Sequence, residues 1–187
     1  MLIGNKGRPG FATRLRNEHR TVDYASERSQ KSSSELLQQN NARATLRTIQ
    51  SIDYSEAKKV IDAIVENALQ ERKAAVIAVA DAHGELIALA RMDGAPLPSI
   101  RVAANKAYTA ARERKPTKDI GDKVRHPEKG FDIAYYDDPK FVGWGGGLPV
   151  WKNGELIGAI GVSGLPSVED IALASLGVEL IGDARSA

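Results

Sequence analysis

The stretch Leu148-Pro149-Val150-Trp151-Lys152-Asn153-Gly154-Glu155-Leu156-Ile157-Gly158-Ala159-Ile160-Gly161-Val162 decides the fold class. Two apolar runs flank Asn153-Gly154, the pair that most readily takes the positive φ angles of a two-residue hairpin turn, so the spacing predicts a β-hairpin. A hairpin makes its strands antiparallel, whereas parallel neighbours need a crossover of a dozen or more residues. The same pattern recurs upstream. Ala74 to Ala80 reads AAVIAVA, Asp81, His83 and Gly84 reverse the chain, and Leu86 to Arg91 forms a second apolar run. Both strands of this hairpin are expected to be largely buried.

Helical signals surround the hairpins. Asp53 and Glu56 have capping-box spacing, and Val60, Ile61, Ile64, Val65, Ala68 and Leu69 follow at helical intervals, predicting a helix from about Tyr54 to Glu71. Ser99 opens a second helix with an apolar face of Ile100, Ala103, Ala104, Ala107, Tyr108 and Ala111, which Pro116 ends. Lys118 to Lys140 is polar and turn-rich, a long surface loop or lid with one helical turn at most near Ile120. Ser167 caps a last helix with Glu169 and Asp170 in its first turn and Ile171, Ala172, Ser175, Leu176 and Val178 on its buried side. Hairpins alternating with helices predict an α+β fold, an antiparallel β-sheet with helices packed on it.

A chain of 187 residues, 42% hydrophobic, is long enough for one domain with its own core. The absence of cysteine excludes thiolate metal sites, cysteine nucleophiles and disulfide scaffolds. No apolar run approaches the roughly 20 residues of a membrane helix, and no secretory signal opens the chain, so a cytoplasmic protein without a membrane partner is expected. Residues 1–50 are polar and rich in Gly and Arg without a sustained period, which predicts a disordered tail before a domain over 51–187. That segment carries nine Lys and Arg against four Asp and Glu, while the remainder carries 17 against 20. The mildly acidic body gives no electrostatic case for nucleic acid.

Four groups of residues could carry chemistry. Arg91 and Asp93 leave the second strand just before the central helix, where they either pair with each other or face a pocket. On that helix, 100° steps gather Val102, Lys106 and Thr109 away from Ile100, Ala104, Ala107 and Ala111, which makes a solvated face, a site or a subunit contact. Gly145, Gly146 and Gly147 precede a strand and lack the helix of a nucleotide-binding loop. They can still bring backbone N–H groups close to a carboxylate, or merely bend the chain. Of the histidines, His19 lies in the tail and His83 in a hairpin turn, leaving His126 as the one placed to fold over a pocket. Zinc-hydrolase and serine-hydrolase motifs are absent, and Ser163 has no base at motif spacing. General acid–base work by Asp93, Lys106 or His126 stays open.

Arg91-Met92-Asp93-Gly94-Ala95, Lys106-Ala107-Tyr108-Thr109-Ala110, Gly145-Gly146-Gly147-Leu148-Pro149 and Gly154 to Gly164 together resemble the GlcG/HbpS-like family, which includes the C-terminal domain of PduO-type corrinoid adenosyltransferases. The resemblance runs from about Ser55 to Ile181. It implies a profilin-like antiparallel sheet flanked by helices and assembly into homo-oligomers. It also implies a ligand site at Arg91, Asp93, Lys106, Thr109 and Gly145 to Gly147, with haem as a possible cofactor and no metal site. By motif Thr109, and by spacing His126, would stand near the iron. The last helix opens Val168-Glu169-Asp170-Ile171, where many members have an acidic residue, Gln, Asp and Glu. This departure puts a role for that helix in doubt.

The implied function is a small-molecule-binding protein, accessory to a catabolic or redox-stress pathway, that holds haem or another tetrapyrrole and degrades it slowly, with propionates on Lys106 or Arg91. The alternative is a small catabolic enzyme, a hydrolase, isomerase or lyase, acting on an organic carboxylate or ring-cleavage product. There Lys106 and the glycine amides would hold the anion while Asp93 moves a proton. A purely structural module follows if the Lys106 and Thr109 face is only a subunit contact.

Overall fold

The computed structural model describes residues 48–183, so the expectation for the N-terminal segment falls outside the described residues. Helix α1 spans Tyr54–Gln70 and starts at the expected capping box: Asp53 accepts from the Glu56 N–H, and Glu56 accepts in return from the Asp53 N–H. Strands β1 (Val76–Asp81) and β2 (Leu86–Arg91) follow, then α2 (Ser99–Glu113), α3 (Thr117–Val124), a 3₁₀ turn (Ile133–Tyr136), β3 (Gly147–Lys152), β4 (Glu155–Ser163) and α4 (Ser167–Ile181).

The strands form one sheet in the order β2-β1-β4-β3, antiparallel at every pairing. Each hairpin is closed by its own turn, and the two lie side by side through β1 and β4, from Val76 opposite Ser163 to Asp81 opposite Gly158. Asn153 and Gly154 take φ of 53° and 77°, the left-handed pair on which the hairpin reading rested.

Period-two alternation divides the core between the two faces. Ile77, Val79, Val150, Ile160 and Val162 pack with Val60 and Ile64 of α1 and with Leu173 and Val178 of α4. Val76, Ala78 and Ala80 face the other way, onto Ala103 and Ala107 of α2. Small residues on both sides bring α2 to backbone contact with the sheet. A Cβ on Gly161 would stand 2.1 Å from the Ala103 carbonyl oxygen, and one on Gly147 would stand 2.6 Å from that of Lys106. The fold is thus an α+β sandwich, two helices on one face of an antiparallel sheet and α2 on the other.

Three expectations need correction. β2 is only half buried, with Leu86 53% exposed, because at this edge of the sheet the helices cover less of the strand than they do at the other edge, β3. The segment after Pro116 is not all loop: α3 makes two turns there, anchored by the buried Thr117 and Ile120. On α2 the buried arc is centred on Ala103, Lys106 and Ala110, and Ile100 is 37% exposed. A helix whose apolar residues are nearly all Ala offers little to choose between faces, so close backbone approach selects the arc and Lys106 goes inside with it.

Candidate functional site

Burial of Lys106 sets the centre of the site. Its side chain is 2% exposed, and Nζ donates to the Val162 carbonyl oxygen at 2.8 Å and to Asp170 Oδ2 at 2.7 Å. Asp170, also 2% exposed, stands in the first turn of α4, where the helix dipole favours a carboxylate, and its Oδ1 accepts the Leu165 N–H at 3.2 Å. Burial pushes the Lys106 ammonium below its ordinary range and the Asp170 carboxyl above its own, and the ion pair opposes both shifts. The last helix, left in doubt by its departing motif, thus supplies the partner of the central lysine.

Lys106 and Asp170 line a pocket of about 270 Å³ together with Ser99, Ser163, Ser167 and Trp144. Ser99 is the first residue of α2 and Ser167 the first of α4, and neither helix has a side-chain cap. Pro96, Leu97 and Pro98 take the N–H groups of Ser99, Ile100 and Val102 on their carbonyl oxygens, and Pro166 those of Glu169 and Asp170. Two helix N-termini without side-chain caps, each with the partial positive charge of its dipole, therefore lie beside a lysine whose charge Asp170 balances. That combination favours an anion.

The glycine run is built for packing. A Cβ on Gly146 would meet the Val162 oxygen at 2.6 Å, Asp170 Cβ at 2.7 Å and Lys106 Nζ at 2.9 Å, and its φ of 109° already excludes most other residues. Gly145 lies against Ile171, where a Cβ would stand 2.6 Å from its side chain. The Gly147 N–H donates to Thr117 Oγ1 at 3.0 Å, so it is not free for a ligand carboxylate.

Thr109 is fully buried and does not line the pocket. Its hydroxyl donates to the Lys140 carbonyl oxygen at 3.3 Å and accepts the Val142 N–H at 3.1 Å, tying α2 to the loop that leads into the glycines. Tyr108 Oη donates to Asp138 at 2.7 Å in the same loop, holding the carboxyl below its ordinary value and raising the phenol. Its ring meets Phe141 edge-on, and Phe141 stacks on Tyr136 at 4.4 Å. A second pocket of about 250 Å³ opens beside this cluster, lined by Val124, Arg125, Ile133, Phe141 and Val142, and Trp144 borders both pockets.

Other residues singled out from the sequence lie apart from both pockets. Arg91, the last residue of β2, and Asp93, on the turn before α2, are exposed, and neither is in an ion pair among the described residues. His126 is exposed, and its Nδ1 accepts the Glu128 and Lys129 N–H groups at 3.2 and 3.1 Å, a local turn. His83 is exposed beside Asp81, and His19 lies outside the described residues. Sequence reasoning missed Asp170, Ser99 and Trp144. The one available signal was that an acid in a first helical turn can neutralise a lysine on a packed helix.

Residues 52–179 match the family model described as haem degrading protein HbpS-like. The chain is 35% identical over 135 residues, 72% of its length and 95% of the relative's, to an uncharacterised 15.0 kDa protein of the dhaT–dhaS intergenic region of Citrobacter freundii. It is 37% identical to Protein GlcG of Escherichia coli over 107 residues, 57% of this chain and 77% of the relative. Among solved structures it superposes on that of a PduOC–heme complex with a TM-score of 0.66 and 30% identity, covering 70% of this chain and 95% of the other.

Proposed function

From the premise that the chain belongs to the HbpS-like family, we propose that it binds an anionic small molecule, haem or another tetrapyrrole, through the carboxylate edge of that ligand. The carrying observation is the convergence of Lys106, the Ser99 and Ser163 hydroxyls and two uncapped helix N-termini on one pocket. A volume of about 270 Å³ is at the small end of ligand sites, so it takes a propionate and the adjoining ring edge. The rest of the macrocycle would lie over Trp144, 61% exposed between the two pockets. Among the described residues no histidine or methionine lines either pocket, so the hold on haem is assigned to its carboxylates and ring face rather than to an iron bond.

A haem titration followed by absorbance tests this. Saturable binding at one haem per chain is expected, weakened about 10- to 100-fold by Ser99→Ala combined with Ser163→Ala, the loss of charge-assisted hydrogen bonds. Trp144→Ala should weaken it as well, and His126→Ala should not. Non-saturating uptake indifferent to every one of these changes would remove haem as the ligand. The second reading, an enzyme acting on a small organic carboxylate, is favoured by the same pocket size.

A further inference from the structure

Anion binding leaves one property of the pocket unused. Lys106 Nζ, an amine in the pocket wall, lies 2.7 Å from a buried carboxylate able to take its proton, and only two of its three N–H donors have protein acceptors. Ser99 and Ser163, 7% and 6% exposed, line the same wall. We propose that Lys106 captures a carbonyl compound, condensing with a small 2-oxo carboxylate to form an iminium while Asp170 carries the protons. This rests on reading the pocket as an anion site and is independent of haem.

The step balances within the pair. Asp170 takes one proton from the Lys106 ammonium, and the freed lone pair attacks the carbonyl carbon, forming the C–N bond as the C=O π pair moves to oxygen. Asp170 returns the proton to that oxygen, then removes a second from nitrogen and delivers it as the hydroxyl leaves. The products are an iminium and one water, with Asp170 a carboxylate again. Nitrogen is positive at the start and in the iminium, and whenever it is neutral Asp170 holds the proton, so Asp170 is never a buried carboxylate without a partner. A reaction that neutralised the nitrogen would leave it so.

Several observations favour this lysine and this class of substrate. Burial disfavours its ammonium form, whereas the exposed Lys58 and Lys118 and the half-buried Lys73 are held as ammonium by acidic neighbours. Gly146 lets the backbone pack close beside Nζ, where a Cβ would stand 2.9 Å from it, so a side chain at this position would press on the amine. Ser99, Ser163 and the starts of α2 and α4 line the same pocket as Nζ and offer partners to the carboxylate of such a substrate.

The experiment exposes the whole chain to pyruvate and a hydride donor, borohydride, which reduces an iminium to a stable secondary amine, and maps the modified peptides. One carboxyethyl group per chain at Lys106 is expected, saturating with pyruvate and forming at least about tenfold faster than at any exposed lysine. Asp170→Asn should slow it. Lys106→Met made together with Asp170→Leu, which keeps the core filled, should abolish it. Lactate, which has the carboxylate but no carbonyl, is the control, with binding read from Trp144 fluorescence. Equal binding of lactate and pyruvate without a Lys106 adduct would overturn the amine chemistry and leave the anion pocket standing. Binding of neither would overturn both, and labelling spread evenly over exposed lysines would overturn the selective capture.

Discussion

At the residue scale the informative contrast is between Lys106 and Thr109, three positions apart on one helix. Both are buried, yet Lys106 faces the pocket with a donor to spare while Thr109 has its hydroxyl engaged by the loop backbone. Lys106→Ala should destabilise the protein by about 3–5 kcal/mol in urea unfolding, because Asp170 would stay buried without its partner. Replacing both, as Lys106→Met with Asp170→Leu, should recover most of that loss. If the double variant is as unstable as the single one, the pair is not the energetic unit described. The Tyr108–Asp138 bond sets a pH window. The folded Asp138 value lies below its ordinary 3.8, so its stabilisation is present above 3.8 and lost as pH falls through the folded value. Tyr108 lies above its ordinary 10.0, so its share is present below 10.0 and lost as pH rises through the folded value. An absorbance titration of phenolate should show late ionisation of Tyr108 and of Tyr136, which burial and Glu113 also raise. Tyr108→Phe should remove the first, and Asp138→Asn should bring it back toward the ordinary range.

At the element scale, the hairpins and α1 were legible because their signals are local: Asn153-Gly154 is a turn in any surroundings, and the Asp53–Glu56 box closes on itself. The buried face of α2 was not. With Ala at 103, 104, 107, 110 and 111, propensity favours a helix but periodicity hardly orients it. The sheet orients it, at Gly161 and Gly147. Thr109→Val, which keeps shape and removes the hydroxyl, should cost about 1–3 kcal/mol by leaving the Val142 N–H without its acceptor. It should also speed amide exchange across residues 138–144 more than in β1 or β4. Uniform acceleration would mean that the hydroxyl supports the core and not the loop.

At the scale of the whole molecule, the two cores are filled differently, and mutation should show it. Ile64, fully buried between α1 and the sheet, should cost about 2–5 kcal/mol when cut to Ala, the usual range for a large-to-small change. On the other face the sensitive direction is enlargement. Gly161→Ala should destabilise by about 1–3 kcal/mol, since the added methyl meets the Ala103 carbonyl and α2 must move away. A neutral result in thermal unfolding would show that α2 has room to shift. The same displacement would move Lys106 from Asp170 and Val162, so ligand binding should fall with stability. The sequence by itself determined the α+β class, the two hairpins, the glycine run and the family resemblance, since each is written in neighbouring residues whose physics is local. Only the tertiary structure decided that Lys106 turns inward, that Asp170 meets it from 64 positions away, and that Ser99, Ser163 and Trp144 share one wall. Those groups are joined by sheet register and by how closely α2 approaches the strands, and both depend on packing between segments far apart in the chain.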